Sequence, residues 1–423
     1  MTKRLVFIDM LRGIAIFYMI ILHAFLYRVV HQYKPLFEDI MTTSSLLIRI
    51  IASPFIFLSL WGSIFCMITG IVFVYRVRLD FNTKESISIG PYFLKRGGTG
   101  VILILIQYFW LTFLSPKSTE HPGPSTFSLI TGTIEQWGFS SFNVMHYSTT
   151  GMVESIGWII VCLSILGYFV YRKKENHTKR FYLYFLILLL LAIAISVSFE
   201  LLIPSPRHFF YELYENGKIF QIITLLKLTS NRFSFFPLIV FGLSGAIIGY
   251  NLYHEGREKR NLTVLFTIGV SCILGFIIIY ILGFDMMGGY VSDYIPLPLH
   301  LLNFGTQLVI LGIFYLLFKK YQSQEFNRDV GIVRFFQMYS SISLTIYIFE
   351  SFTSVILFQL IQRIYYIKPI SENFYVWMGF LLLNTLVWYV ILYFWRKKDY
   401  KFSVEWTLGK LKEKMKIGTI SSQ

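Results

Sequence analysis

Asp9, Arg12 and His23 lie within one apolar run that extends from Val6 to about Val30. Ionisable side chains at membrane depth are costly, so three of them in a single span mark it as a functional helix. Asp9 and Arg12 are three residues apart and share a helical face. Arg12 and His23 are eleven apart, which is about three turns with an offset of about 20°, so all three side chains point roughly the same way. The helical rise sets His23 about 16 Å from Arg12 along the axis. Histidine titrates near neutral pH and suits general-base work, and a cation one level below it suits an extended ligand threaded into the membrane. A plainer reading has Arg4 and Arg12 reaching to lipid headgroups, Asp9 pairing with Arg12, and His23 bonding to a neighbouring helix. His31 is a second imidazole just beyond the run.

The elements that must hold these residues follow from composition. The 423-residue chain is 55% hydrophobic and only 14% charged, far below the roughly 25% charge of soluble domains. Its mean hydropathy of +0.61 points the same way. Apolar runs long enough to cross a hydrocarbon core of about 30 Å fall near 6–30, 46–75, 98–115, 151–171, 181–203, 233–253, 262–284, 299–318, 335–361 and 373–395. The expected fold is therefore an all-α polytopic bundle of about ten transmembrane helices, eleven being the upper count. The second and ninth runs are long enough to tilt or break, and Pro54 marks where the second would do so.

The net charge of +15 sits in short clusters between these runs, at Lys3 and Arg4, Arg76 to Arg96, Arg172 to Arg180, Arg257 to Arg260, Lys319 to Arg334 and Arg396 to Lys414. They occupy alternate loops, which predicts that both termini are cytoplasmic and excludes nucleic acid as the reason for the charge. The opposite loops 116–150 and 204–232 are long for connectors, which suits either a lid or substrate-facing surface or plain variable loops. Residues 1–396 read as the membrane domain and 397–423 as a basic amphipathic tail on the inner leaflet. Gly242, Gly245 and Gly249 fit close helix packing in lipid. Cys66, Cys162 and Cys272 all fall in apolar runs, with no disulfide or zinc spacing.

Glu154 and Glu350 are further acids within spans, able to bond an acceptor or orient His23, or to be satisfied structural carboxylates. Asp285 and Asp293 read as solvated loop residues. His146, His208 and His300 lie near the outer interface but lack a metal-binding spacing, so no metal is expected.

The segment RLVFIDMLRGIAIFYMIILHAF, from Arg4 to Phe25, resembles the first transmembrane helix of the heparan-alpha-glucosaminide N-acetyltransferase-like family and the related acyltransferase-3 family, in Arg4, Asp9, Arg12-Gly13, the Met19 region and His23. Weaker likenesses follow at Met67 to Gly70, Tyr92 to Gly100, Phe235-Phe236-Pro237 with its glycines, Ser343 to Tyr347, and Glu405-Trp406. The histidine stands inside the first helix, whereas the lysosomal enzyme of that family would carry it after the helix. The resemblance implies an acyltransferase taking acetyl or another acyl group from cytoplasmic acyl-CoA to a sugar or glycolipid acceptor at the outer face. His23 and Asp9 would be catalytic, with His23 acting as base or itself becoming acylated. Arg4, Arg12, Lys95 and Arg96 would hold the CoA phosphates, although Lys95 and Arg96 also fit ordinary cytoplasmic flanks. A cell-membrane location is expected, and a homodimer is compatible with it. The competing class is a transporter or flippase, which would show inverted repeats or paired broken helices; the sequence displays none.

Overall fold

A computed structural model describes residues 5–30, 60–83, 87–117, 126–148, 151–172, 177–202, 206–230, 234–252, 258–282, 297–318, 331–364 and 374–410. Helices account for nearly all of them. In order these are α1 (Val6–Phe25), α2 (Ser63–Thr83), α3 (Ile89–Phe113), the short α4 (Leu129–Gln136), α5 (Met152–Tyr171), α6 (His177–Leu202), α7 (Pro206–Glu215), α8 (Ile219–Leu225), α9 (Phe235–Leu252), α10 (Glu258–Ile281), α11 (Leu297–Phe318), α12 (Gly331–Ser341), α13 (Ser343–Ile364) and α14 (Phe374–Arg396). Lipid offers the backbone no partners, and helices satisfy it internally.

Among the described residues, nine helices are long and apolar enough to cross a membrane: α1, α3, α5, α6, α9, α10, α11, α13 and α14. The chain is thus a multi-pass, all-α membrane bundle. α2 is of similar length but carries Arg76, Arg78 and Asp80. It runs through the interior rather than along the lipid, with Ile64, Cys66, Met67 and Ile71 fully buried. The sequence places its end near residue 75, yet the helix continues to Thr83 because its charges are satisfied within the protein. Arg78 donates to the Tyr250 carbonyl at 3.0 Å and lies 3.9 Å over the Tyr250 ring, while Asp80 accepts from Arg96 at 2.9 Å and from the Tyr92 hydroxyl at 2.8 Å. Pro54, and the earlier part of the predicted second span, lie outside the described residues.

The predicted ninth span breaks at Ile342 into α12 and α13. The two loops read as long connectors fold into short elements, α4 with a 3-10 turn at Val144–Ser148, and α7 with α8 and a π turn at Leu226–Ser230.

Close packing follows the small residues. α2 lies along α9, α3 along α5, and α10 along α11. A Cβ on Gly70 would collide with the Gly242 carbonyl, and one on Gly245 with the Met67 carbonyl, so α2 and α9 touch backbone to backbone. α6 and α10 instead expose Leu183, Leu186, Leu190, Leu274 and Ile278, the composition that suits a lipid face. Side-chain contacts gather the basic clusters at one end of the bundle: Asp80 with Arg96, Tyr171 stacked on His177, and Tyr250 bonded to Thr178.

Candidate functional site

α1 is the spine of the site. Gly13 permits its approach to α12, since a Cβ there would strike the Phe336 carbonyl, and this contact brings Arg12 within reach of Ser340. Arg12 Nε donates to Ser340 Oγ at 2.8 Å and Nη2 to Asp9 Oδ1 at 3.1 Å. Fourteen residues separate Asp9 from His23, about 21 Å along the axis, so Asp9 belongs to the arginine and not to the imidazole.

The carboxylate on His23 is Glu350. Its Oε1 lies 2.7 Å from His23 Nδ1, and its side chain is fully buried on α13. With a carboxylate as partner Nδ1 is the donor, which leaves Nε2 as the ring nitrogen able to accept a proton. Tyr27 and Tyr347 flank the ring at centroid distances of 5.0 and 6.5 Å. Tyr347 in turn packs on Trp110 at 5.3 Å and donates from its hydroxyl to Gln107 at 3.3 Å, which ties α13 to α3 behind the imidazole.

A cavity of about 1020 Å³ runs through the bundle and joins these groups. That volume is at the upper end of the roughly 300–1,000 Å³ of small-molecule sites. At the basic end its wall carries Arg12, Arg76, Lys95 and Arg96, with Asp80 and Tyr92 bracing Arg96. The middle is apolar, lined by residues such as Ile14, Met19, Phe65, Val72, Leu103 and Ile156. The far end carries His23, Tyr27, Ser115, Lys117 and His146.

Of the six residues singled out from the sequence, His23, Arg12, Lys95 and Arg96 therefore face one chamber. Asp9 stands behind Arg12, and Arg4 lies outside the described residues, as do His31, Asp285 and Asp293. His208 lies in α7, where its side chain is not described; His300 packs near Phe241, with ring centroids 6.3 Å apart. Glu154 takes Lys227 on both oxygens at 2.8 and 2.7 Å, with the Tyr108 hydroxyl 3.1 Å from the same ammonium. It is a buried, satisfied acid that pins the π turn after α8 onto α5. Among the described residues no group of acids, histidines and cysteines is placed to hold a metal ion.

Sequence reasoning missed Arg76, which it counted only as loop charge, and Ser115 and Lys117, which nothing in their spacing marked. Glu350 did carry a signal, as an acid in a span, but its partner was invisible because 327 residues separate it from His23.

Compared with known families and with curated proteins, the sequence matches no family model and no curated sequence.

Proposed function

We propose that the protein is a membrane-bound acyltransferase that moves an acetyl or other acyl group from acyl-CoA to a sugar or glycoconjugate acceptor on the opposite face. The observation that carries this reading is a cavity whose lining includes both the Arg12, Arg76, Lys95 and Arg96 cluster and His23, the partner of Glu350. A phosphate-bearing donor has its counter-charges at the basic end, where guanidinium groups offer paired donors and lysine a point charge. The Arg12 to His23 separation of about 16 Å is of the same order as the pantetheine arm that would cross the apolar middle. The resemblance of the first helix to acyltransferases points the same way.

In this reading His23 Nε2 takes the proton of the acceptor hydroxyl or amine as that group attacks the acyl carbonyl. Glu350 holds the imidazole in the required tautomer and stabilises the imidazolium that forms. The basic end faces the cytoplasm and the supply of acyl-CoA, by the charge rule for membrane loops. Asp9 acts one step removed, by orienting Arg12.

The test is transfer of radiolabel from acetyl-CoA by purified protein in liposomes supplied with amino sugars and glycolipids, comparing wild type with His23→Ala. Transfer that disappears in a folded variant still able to bind CoA supports the reading. A wild type that neither binds nor consumes acyl-CoA overturns it and makes transport the leading explanation of the cavity.

A further inference from the structure

The far end of the cavity holds a second imidazole that the reading above does not use. His146, in the 3-10 turn Val144–Ser148, is fully buried with a hydroxyl on each ring nitrogen: Ser115 Oγ lies 2.5 Å from Nε2, and Thr126 Oγ1 lies 2.7 Å from Nδ1. Ser115 and His146 both line the cavity that His23 lines. Ser115 follows the C-terminus of α3, where serine often serves only to satisfy helix-end carbonyls, and its Oγ does approach the Leu111 carbonyl at 3.1 Å. Ser115 serves that one carbonyl, and three other hydroxyls serve the two carbonyls that follow. Thr131 and Ser351 donate to the Leu114 carbonyl at 2.9 and 3.2 Å, and Ser128 donates to the Ser115 carbonyl at 2.7 Å. Ser351 is the chain neighbour of Glu350, so the peptide before Ser115 is fastened to the residue next to the partner of His23. The result is a hydroxyl held by its backbone, with an imidazole in hydrogen-bond reach and a third group behind that imidazole. This is the arrangement of an activated nucleophile, with threonine in the orienting position.

We infer that Ser115 carries the acyl group as an ester between donor and acceptor, with His146 as its base. The inference rests on the acyltransferase reading and adds the path of transfer. In the first half, Ser115 Oγ gives its proton to His146 Nε2 and bonds to the thioester carbonyl carbon. The carbon–sulfur bond breaks, and CoA leaves as the thiol with the proton from His146. Lys117, two residues on, contributes positive charge at this end of the cavity while the carbonyl oxygen is anionic. In the second half, the acceptor gives its proton to His23 and bonds to the ester carbon. The carbon–Oγ bond breaks, and Ser115 recovers its hydroxyl with the proton that His23 took. Two bases on one chamber then have separate work, and CoA departs through the basic end before the acceptor reaches the acyl group.

The experiment is incubation of the full chain in liposomes with radiolabelled acetyl-CoA and no acceptor, followed by denaturation, counting of retained label and mapping of the modified peptide by mass spectrometry. Wild type is expected to retain label as a hydroxylamine-sensitive ester on Ser115, and His23→Gln to retain at least as much, because only the second half is blocked. Ser115→Ala is expected to lose both the label and overall transfer by about 100-fold or more. Ser115→Cys guards against misfolding of the alanine variant: it should trap the group as a thioester on residue 115. Label on His23, or normal transfer by Ser115→Ala with no covalent label in wild type, overturns the Ser115 route while leaving the acyltransferase reading intact. A wild type that consumes no acyl-CoA under any condition overturns both.

Discussion

His23 and Glu350 make a pair whose parts are unequal in consequence. On the proposed reading, removing the imidazole takes away the proton acceptor, so His23→Gln is expected to lower kcat by about 100- to 10,000-fold while the Kd for acyl-CoA, whose counter-charges would lie at the other end, stays nearly unchanged. Glu350→Gln keeps the shape but donates where it should accept, which favours the wrong tautomer and weakens support for the imidazolium. Its kcat is expected to fall by about 100-fold or more. Unchanged kcat in Glu350→Gln would reduce this contact to packing. At the basic end, Arg76 and Lys95 can be removed without touching the Asp80–Arg96 bond. The double change Arg76→Ala with Lys95→Ala is expected to raise the KM for acyl-CoA about tenfold or more and to flatten its dependence on salt, with kcat nearly unchanged.

Among the elements, α2 and α9 depend on backbone contact that no larger residue allows. Gly245→Val would drive a side chain into the Met67 carbonyl and is expected to cost about 1–3 kcal/mol, read as a lower Tm in detergent. A Tm equal to wild type would mean that the two helices separate freely. The segment after α14 makes another such joint. Glu405 accepts from the backbone N–H of Leu344 at 2.6 Å and of Thr345 at 3.3 Å and from the Thr345 hydroxyl at 2.5 Å, while Val404 N–H donates back to that hydroxyl at 2.9 Å. It caps the first turn of α13, the helix that carries Glu350. Burial raises the Glu405 carboxyl above its ordinary range, and the hydrogen bonds it accepts oppose that shift without cancelling it. A raised folded-state pKa means that its stabilisation is complete below the unfolded value of about 4.3 and is lost as pH rises through the raised value. Thermal stability should accordingly decline from acid toward neutral pH, and Glu405→Gln should flatten that decline. A slope unaltered by the substitution would assign the pH dependence to other groups.

For the whole molecule, charge and apolarity are separated along one axis. Arg12, Arg76, Lys95 and Arg96 gather at one end of the cavity and the imidazoles, with Lys117, at the other, with a lining between them that is mostly apolar. On the proposed reading such a chamber would keep the thioester away from water while leaving its charged carrier at an interface, where burial costs least. The short elements α4, α7 and α8 close over the imidazole end. Arg28, fully buried, bonds to Glu135 of α4 at 3.0 Å, and Trp137 donates to Gln359 of α13 at 3.0 Å. Breaking this cover with Glu135→Ala leaves a buried arginine unpaired and is expected to destabilise the fold by about 3–5 kcal/mol. Measurement of Tm in detergent checks this, and a small loss would mean that Arg28 finds water instead.

The order of apolar runs and the alternation of basic clusters already determined an all-helical, multi-pass bundle, because lipid leaves a single chain few ways to satisfy its backbone. Helical periodicity likewise put Arg12 and His23 on one face, since both lie in one element. Tertiary structure decided what those side chains meet. Asp9, nearest in sequence, went to Arg12, while Glu350 from the other end of the chain went to His23. Helix 63–83 reached beyond its apolar run because Tyr250, Tyr92 and Arg96 were there to receive its charges, and Ser115 met His146 because the connection after α3 folded back over the end of that helix. Periodicity acts over a few turns of one helix, whereas these pairings depend on which helices lie side by side, and that is set by the packing of the whole bundle.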